Sequence, residues 1–220
     1  MERQMDAEVI YQDKNLAALN KPPGVLFDWV LEKEQAADGR ELIPVHRLDK
    51  DTSGVILFAK NQETADYLKS LFEGRKIKKT YITLVVGRVK DRTGTIELAL
   101  ARSKKDFKKR VAFGKQGKER AAKTDYKVLK YIGDYTLLEA YPKTGRTHQI
   151  RSHFSAIGHP VACDSLYGGK RFLCPAGLNR QFLHAASIEF GASSGEVLRL
   201  DAELPPDLAG VLERLIAPIA

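Results

Sequence analysis

The stretch His46-Arg47-Leu48-Asp49-Lys50-Asp51-Thr52-Ser53-Gly54, followed at once by Val55-Ile56-Leu57-Phe58-Ala59, decides how the chain is read. Its first part is charged and turn-forming. Asp, Thr and Ser side chains bond their own backbone locally, and glycine reaches backbone angles closed to other residues. Its second part is wholly apolar, as a strand buried on both faces requires. Such a sequence can hold a carboxylate at the edge of a rigid sheet, facing a cleft. On composition alone, an ordinary turn leading into a core strand is the better reading.

Upstream, Val9–Tyr11, a turn at Asp13-Lys14-Asn15 and Leu16–Leu19 read as strand, turn, strand. Lys21-Pro22-Pro23-Gly24 ends that run, because two prolines remove donors and fix the backbone. Downstream, Asn61 to Gly74 reads as a helix capped by Asn61, stopped by Gly74, with Leu68, Leu71 and Phe72 on its apolar face. Strand patterns follow at Thr80–Val86, Thr95–Leu100, Thr124–Tyr131 and Thr136–Tyr141. Thr147–Ile157 reads as a helix closed by Gly158. A hairpin is expected over Phe182–Phe190 and Val197–Leu200, and Pro205-Pro206-Asp207 opens a last helix through Ile216. The fold class is therefore α+β: a mainly antiparallel mixed β-sheet with flanking helices, in a single domain over 1–220.

Composition is that of a folded protein, 43% hydrophobic and 29% charged, with a formal net charge of +8. The position of the charge says more than its size. Between Arg102 and Arg120 lie nine cations, Lys104, Lys105, Lys108 and Lys109 among them, against Asp106 and Glu119 alone. All but one unit of the surplus sits there. A field so concentrated can track a phosphate backbone, and a solvated loop is the alternative. No apolar run is long enough for a membrane span, and residues 1–15 lack the apolar core of a signal peptide. Cys163 and Cys174 are too few for a disulfide framework and fit a reducing compartment, and a cytoplasmic location is expected. The five histidines form no H-E-x-x-H pattern, so no metal site is expected.

His46-Arg47-Leu48-Asp49 with Thr52-Ser53-Gly54 resembles the H-R-L-D-x-x-T-S-G signature of RluA-like pseudouridine synthases. Further blocks match in family order. Asn20-Lys21-Pro22-Pro23-Gly24 is similar to N-K-P-x-G. Lys79-Thr80-Tyr81 through Val85-Val86-Gly87 is similar to K-x-Y-x-A-x-V-x-G, with Thr83 in place of alanine. Gly145-Arg146-Thr147-His148-Gln149-Ile150-Arg151 with Ile157-Gly158-His159-Pro160 resembles G-R-T-H-Q-I-R…I-G-H-P. The likeness runs from about residue 9 to residue 210. Its departures are peripheral: Cys163-Asp164-Ser165 stands where Gly-Asp-Pro is common, and Gly191-Ala192 where His-Pro is frequent. The small separate RNA-binding module of many relatives is expected to be missing.

The resemblance implies one catalytic domain with a central RNA-binding cleft, and isomerisation of specific uridines in transfer or ribosomal RNA. That reaction moves a glycosidic bond from nitrogen to carbon with no redox change, so no cofactor is expected. It assigns the essential carboxylate to Asp49, as nucleophile, base or stabiliser of positive charge. Tyr81 would stack on uracil and assist proton removal, and Arg151 would pair with the Asp49 carboxylate. Without the motif, Tyr81 reads as a core tyrosine and Arg151 as an exposed phosphate binder. Ile150 would pack under the tyrosine ring. Arg47 would fill the gap left by an extruded nucleotide, at an unstacking cost of a few kcal/mol. His46 would flank the same turn as a substrate contact or a structural hydrogen bonder, and Arg146 is placed among the RNA contacts. The partner is an RNA stem-loop, and a monomer is expected.

Two other classes fit parts of the sequence. A non-catalytic RNA-binding relative would not need Asp49, Tyr81 and Arg151 together. A nucleoside hydrolase would need two carboxylates flanking the bond, and Asp51, the only nearby second candidate, falls on a variable position of the motif.

Overall fold

The computed structural model describes residues 7–38, 42–103, 106, 109–112, 119–193 and 195–217. Lys104, Lys105 and Lys108 lie outside the described residues, and Lys109 within them. In chain order the elements are β1 (Glu8–Gln12), β2 (Leu16–Lys21), α1 (Phe27–Asp38), β3 (Ile43–Pro44), β4 (Ser53–Ala59), α2 (Gln62–Glu73) and β5 (Lys78–Val86). Then come β6 (Thr93–Glu97), β7 (Leu100–Arg102), β8 (Arg110–Ala112), β9 (Lys123–Ile132), β10 (Tyr135–Pro142) and α3 (Gln149–Ala156). The chain ends with β11 (Leu183–Gly191), β12 (Val197–Asp201) and α4 (Pro206–Ile216). The strands pair antiparallel and the helices flank them, an α+β architecture. By its internal contacts the chain forms two compact units, Met1–Lys79 with Ala185–Glu203 and Thr80–His184 with Leu204–Ala220.

In the first unit the strands run in the order β1-β2-β4-β11, with β3 beside β4 and β12 beside β11. β4 is buried at every position, as its apolar run requires. It pairs with β2 from Leu16↔Ala59 to Lys21↔Gly54, which brings the two ends of the Lys21 and Gly54 motifs together. α2 packs Ala65, Leu68 and Leu71 against Val55, Leu57 and Ala59, with Ile188, Phe190 and Leu200 closing the core. The Asn61 side chain accepts the Thr64 N–H at 2.9 Å and starts the helix. Its end differs from the glycine stop in one detail. Gly74 keeps a right-handed φ of −73°, and the left-handed residue is Arg75 at +57°. The pattern FDWVLEKEQAAD of α1 carries no clean apolar stripe, so no periodicity announces that helix.

In the second unit the sheet order is β5-β10-β9-β6. Alternation along β5 sends Tyr81 and Val85 to a core shared with Ile150 and Phe154 of α3. It sends Ile82, Leu84 and Val86 to a second core with Leu208 and Val211 of α4. On β9 one extra residue, Leu129, sits between the Leu137↔Lys130 and Leu138↔Val128 pairs. That bulge lets Val128 face the first core and Ile132 the second, which a strict two-residue period would forbid. The strand read over Thr95–Leu100 is broken after Glu97. Leu100 instead opens a separate ribbon, β7–β8, registered from Leu100↔Ala112 to Arg102↔Arg110, which places Arg102 and Arg110 of the basic segment opposite each other.

Candidate active site

In the first unit the turn that carries Asp49 is held from below by an ammonium. The Lys21 side chain is fully buried, and its Nζ donates to the carbonyls of Pro22 (2.8 Å), Val25 (3.0 Å) and Lys50 (2.9 Å). A buried cation is costly unless its hydrogens are satisfied, so these carbonyls are fixed as firmly as the ion itself. The Gly24 N–H also donates to Lys50 O, and the Thr52 N–H to Asp49 O. The backbone on both sides of the Asp49 carboxylate is thereby pinned. Gly54 ends the turn with φ +115°, and a Cβ there would lie 2.2 Å from the Ala185 carbonyl oxygen, so only glycine fits.

Asp49 itself is half-buried and Arg47 is exposed, its guanidinium carbon 5.9 Å from the Phe27 ring centre. His46 points the other way. Its Nε2 accepts the Leu57 N–H at 2.9 Å, and its ring lies 4.9 Å from that of Phe72. Accepting at Nε2 requires the neutral ring with its proton on Nδ1. Burial, then the charge of Lys79, pushes the His46 pKa down from 6.5 to about 3.

In the second unit Tyr81 lies opposite Ala140 on β5, partly buried against the core that contains Ile150. Ile150 is itself buried on α3. The motif that begins α3 divides its labour. His148 adopts a left-handed φ of +54° at the helix start. The Gln149 amide donates to Lys123 O (3.0 Å) and Thr124 Oγ1 (2.9 Å), while its oxygen accepts from Thr144 Oγ1 (2.6 Å) and the Arg146 N–H (3.0 Å). Thr124 Oγ1 lies 3.0 Å from His153 Nδ1, and His153 Nε2 lies 3.0 Å from Leu98 O. Gln149 and His153 thus staple the helix to β9 and fix the direction in which Ile150 and Arg151 project. Arg146 is part-exposed, and its Nε donates to Ala121 O at 3.2 Å, at the end of the basic segment.

Arg151 is buried and clamped by a carboxylate that the sequence marks only as the middle of Cys163-Asp164-Ser165, where Gly-Asp-Pro is common. Its Nε and Nη2 donate to Asp164 Oδ2 (2.7 Å) and Oδ1 (2.9 Å), with Asp164 fully buried. Asp164 Oδ1 also accepts the N–H groups of Leu166 and Tyr167 at 3.0 and 3.1 Å, so one loop supplies both the carboxylate and the bonds that orient it. The Tyr167 ring centre lies 5.1 Å from the Arg151 guanidinium carbon. The spacing of thirteen residues between Arg151 and Asp164 is visible in the sequence. An isolated aspartate in a turn reads as solvated, and no local signal marks it as buried.

The same loop carries a disulfide, although its two cysteines read as fitting a reducing compartment. Cys163 and Cys174 are joined, Sγ–Sγ 1.98 Å and Cα–Cα 4.2 Å, across the loop that holds Asp164 and Tyr167. Two cysteines do not make a framework by count, but this fold returns the chain on itself at that point. Among the described residues no three His, Cys, Asp or Glu side chains gather as a metal site. No described helix is long and apolar enough to cross a membrane.

The family model for RNA pseudouridylate synthases matches residues 15–156. Ribosomal large subunit pseudouridine synthase C of Pasteurella multocida is 35% identical over 96% of this chain and 69% of its own length. An uncharacterised RNA pseudouridine synthase of Chloroflexus aurantiacus is 40% identical over 88% of this chain and 61% of its own length. The solved structure of human RNA pseudouridylate synthase domain containing 1 superposes with a TM-score of 0.83 at 29% identity, covering 96% of this chain and 90% of the other. The chain belongs to the RNA pseudouridylate synthases, as an RluA-like member, and is an enzyme that isomerises uridine to pseudouridine in RNA.

Proposed function

We propose that this enzyme acts on large-subunit ribosomal RNA, with Asp49 as the essential carboxylate and Tyr81 and Arg151 as its catalytic partners. The observation that carries the substrate is the 35% identity over 96% of the chain to a ribosomal large subunit synthase. The chemistry asks for little else. The bond from the sugar carbon to N1 of uracil breaks, the base turns, and the same sugar carbon bonds to C5. The C5 proton leaves and N1 gains one, so the atoms balance without any co-reactant. A carboxylate beside the sugar carbon answers the positive charge that builds there as the first bond breaks. Asp49 is suited to this because its backbone turn is pinned by Lys21 and so spends no energy on ordering during the reaction.

The target base must leave its stack to be reached, at a cost of a few kcal/mol. In this reading Tyr81 stacks on the extruded uracil and its hydroxyl assists transfer of the C5 proton. Arg151 is the cation that balances the Asp49 carboxylate, and Arg47, exposed on the same turn as Asp49, fills the vacated stack. Phosphate contacts from the basic segment, Lys104, Lys105, Lys108 and Lys109 included, offset the cost of extrusion.

The test is a pseudouridine map of unmodified large-subunit ribosomal RNA and of transfer RNA transcripts after incubation with purified protein. New pseudouridine is expected in the ribosomal RNA with the native protein. None is expected with Asp49→Asn, which keeps shape and RNA binding. Turnover by Asp49→Asn near the native rate would overturn the choice of carboxylate. Modification confined to transfer RNA would overturn the substrate.

A further inference from the structure

The loop that clamps Arg151 is also the seat of the basic ribbon. Tyr167 is buried, and its hydroxyl accepts the Arg110 N–H at 2.7 Å. The same hydroxyl lies 3.1 Å from His148 Nδ1, close enough to donate to it. Arg110 is the first residue of β8, and its carbonyl accepts from Ser152 Oγ of α3 at 2.9 Å. Both backbone groups of Arg110 are therefore held by side chains that belong to the Arg151 neighbourhood. Tyr167 in turn is fixed at its own backbone. Its N–H donates to Asp164 Oδ1, and its carbonyl accepts from Ser155 Oγ at 2.9 Å. One residue thus touches the ribbon with its hydroxyl, covers the Arg151 guanidinium with its ring, and hangs from the Asp164 carboxylate by its backbone.

We propose that Tyr167 is a positioning residue through which RNA held by the basic ribbon sets the orientation of Arg151. The ribbon itself carries Arg102 and Arg110, and Lys109 directly precedes β8, so a phosphate bound there acts on β8. Among the described residues β8 pairs with the short β7, and Arg110 is held at both its backbone groups by Tyr167 and Ser152. A shift of Arg110 passes to the Tyr167 hydroxyl, and the ring carries it to the guanidinium. The inference rests on the reading of this protein as an RNA-modifying enzyme whose basic segment binds substrate. It adds that binding and chemistry are coupled through this residue.

A double-mutant cycle on kcat/KM tests the coupling. One arm replaces Lys104, Lys105, Lys108 and Lys109 by Ala. The other is Tyr167→Phe, which removes the hydroxyl and leaves the ring. Loss of the lysines is expected to lower kcat/KM about tenfold in the native background and less than about twofold beside Tyr167→Phe, a coupling of the size of one hydrogen bond. A role confined to stability would lower the amount of folded enzyme and leave the two effects additive. Additive losses, or no loss from the lysines in the native background, overturn the proposal. Absence of pseudouridine with the native protein would instead overturn the substrate reading, so the two failures are distinct. If Tyr167→Phe melts below the assay temperature, all four arms of the cycle are run at a lower temperature at which circular dichroism shows each protein folded.

Discussion

Arg151 and Asp164 meet edge to edge, through two N–H···O bonds of 2.7 and 2.9 Å, on side chains that are 8% and 0% exposed. Removing one partner of such a pair strands a buried charge and costs about 3–5 kcal/mol. Asp164→Asn is therefore expected to lower the melting temperature by roughly 10 °C or more for a chain of this size, and to cut turnover with it. Joint replacement by apolar residues, Asp164→Leu with Arg151→Met, removes both charges. It should restore part of the stability, because the Leu166 and Tyr167 N–H groups lose their acceptor, and none of the activity. Activity returning with stability in the double variant would show that the pair serves the fold alone.

The basic segment makes a prediction that salt can read. If its lysines bind phosphates, changing Lys104, Lys105, Lys108 and Lys109 to Ala flattens the dependence of RNA affinity on salt. The log–log slope should fall by roughly one unit for each phosphate that is no longer neutralised. Binding measured at several salt concentrations with native and altered protein decides it. An unchanged slope would mean that these lysines form only a solvated face.

Much of this architecture is legible in the sequence because its signals are local. An all-apolar run can only be a buried element, and Val55–Ala59 is buried at every position. Asn61 before an amphipathic stretch announces a helix by a bond that spans three residues. The motif places Asp49 on a turn before a strand, where it lies. What stays hidden depends on residues distant in sequence. The burial of Lys21 under the Lys50 carbonyl spans 29 positions, and no rule of composition puts a lysine in a core. Asp164 gains its meaning only from the guanidinium it meets. The bulge at Leu129 is invisible in an alternation that looks regular on either side. His46, by contrast, leaves two roles open in the sequence, and the Leu57 N–H gives its ring a structural one.

The disulfide between Cys163 and Cys174 closes the loop that carries Asp164 and Tyr167, its ends eleven positions apart. Closing a loop of that length limits the unfolded chain and is worth about 2–3 kcal/mol. Cys174→Ser, or reduction by dithiothreitol, is expected to lower the melting temperature by roughly 5–10 °C. Melts of the native protein with and without reductant test this directly. Identical curves would mean that the two sulfurs are thiols in solution and that the loop is held by Asp164 without them.

His46 ties acid stability to the turn that carries Asp49. In the folded chain its ring is neutral, because burial and the nearby Lys79 push its pKa down from 6.5 to about 3. The unfolded chain keeps the ordinary value. As pH falls below 6.5 the unfolded state takes up a proton that the folded state refuses, so stability declines. The decline continues to about pH 3, where the folded ring also accepts the proton. His153, whose pKa is lowered by burial despite its bond to Leu98 O, adds to the same trend. Asp13 and Asp125 also have lowered values, but their contribution is lost only around and below the ordinary 3.8. The interval from pH 7 to pH 5 therefore isolates the histidines. His46→Gln keeps an oxygen that can accept the Leu57 N–H and removes the titration. Urea midpoints measured at both pH values should fall for the native protein and fall less for His46→Gln. An equal fall in the two proteins would mean that His46 takes up its proton in the folded state, and that the Leu57 bond does not hold the ring neutral.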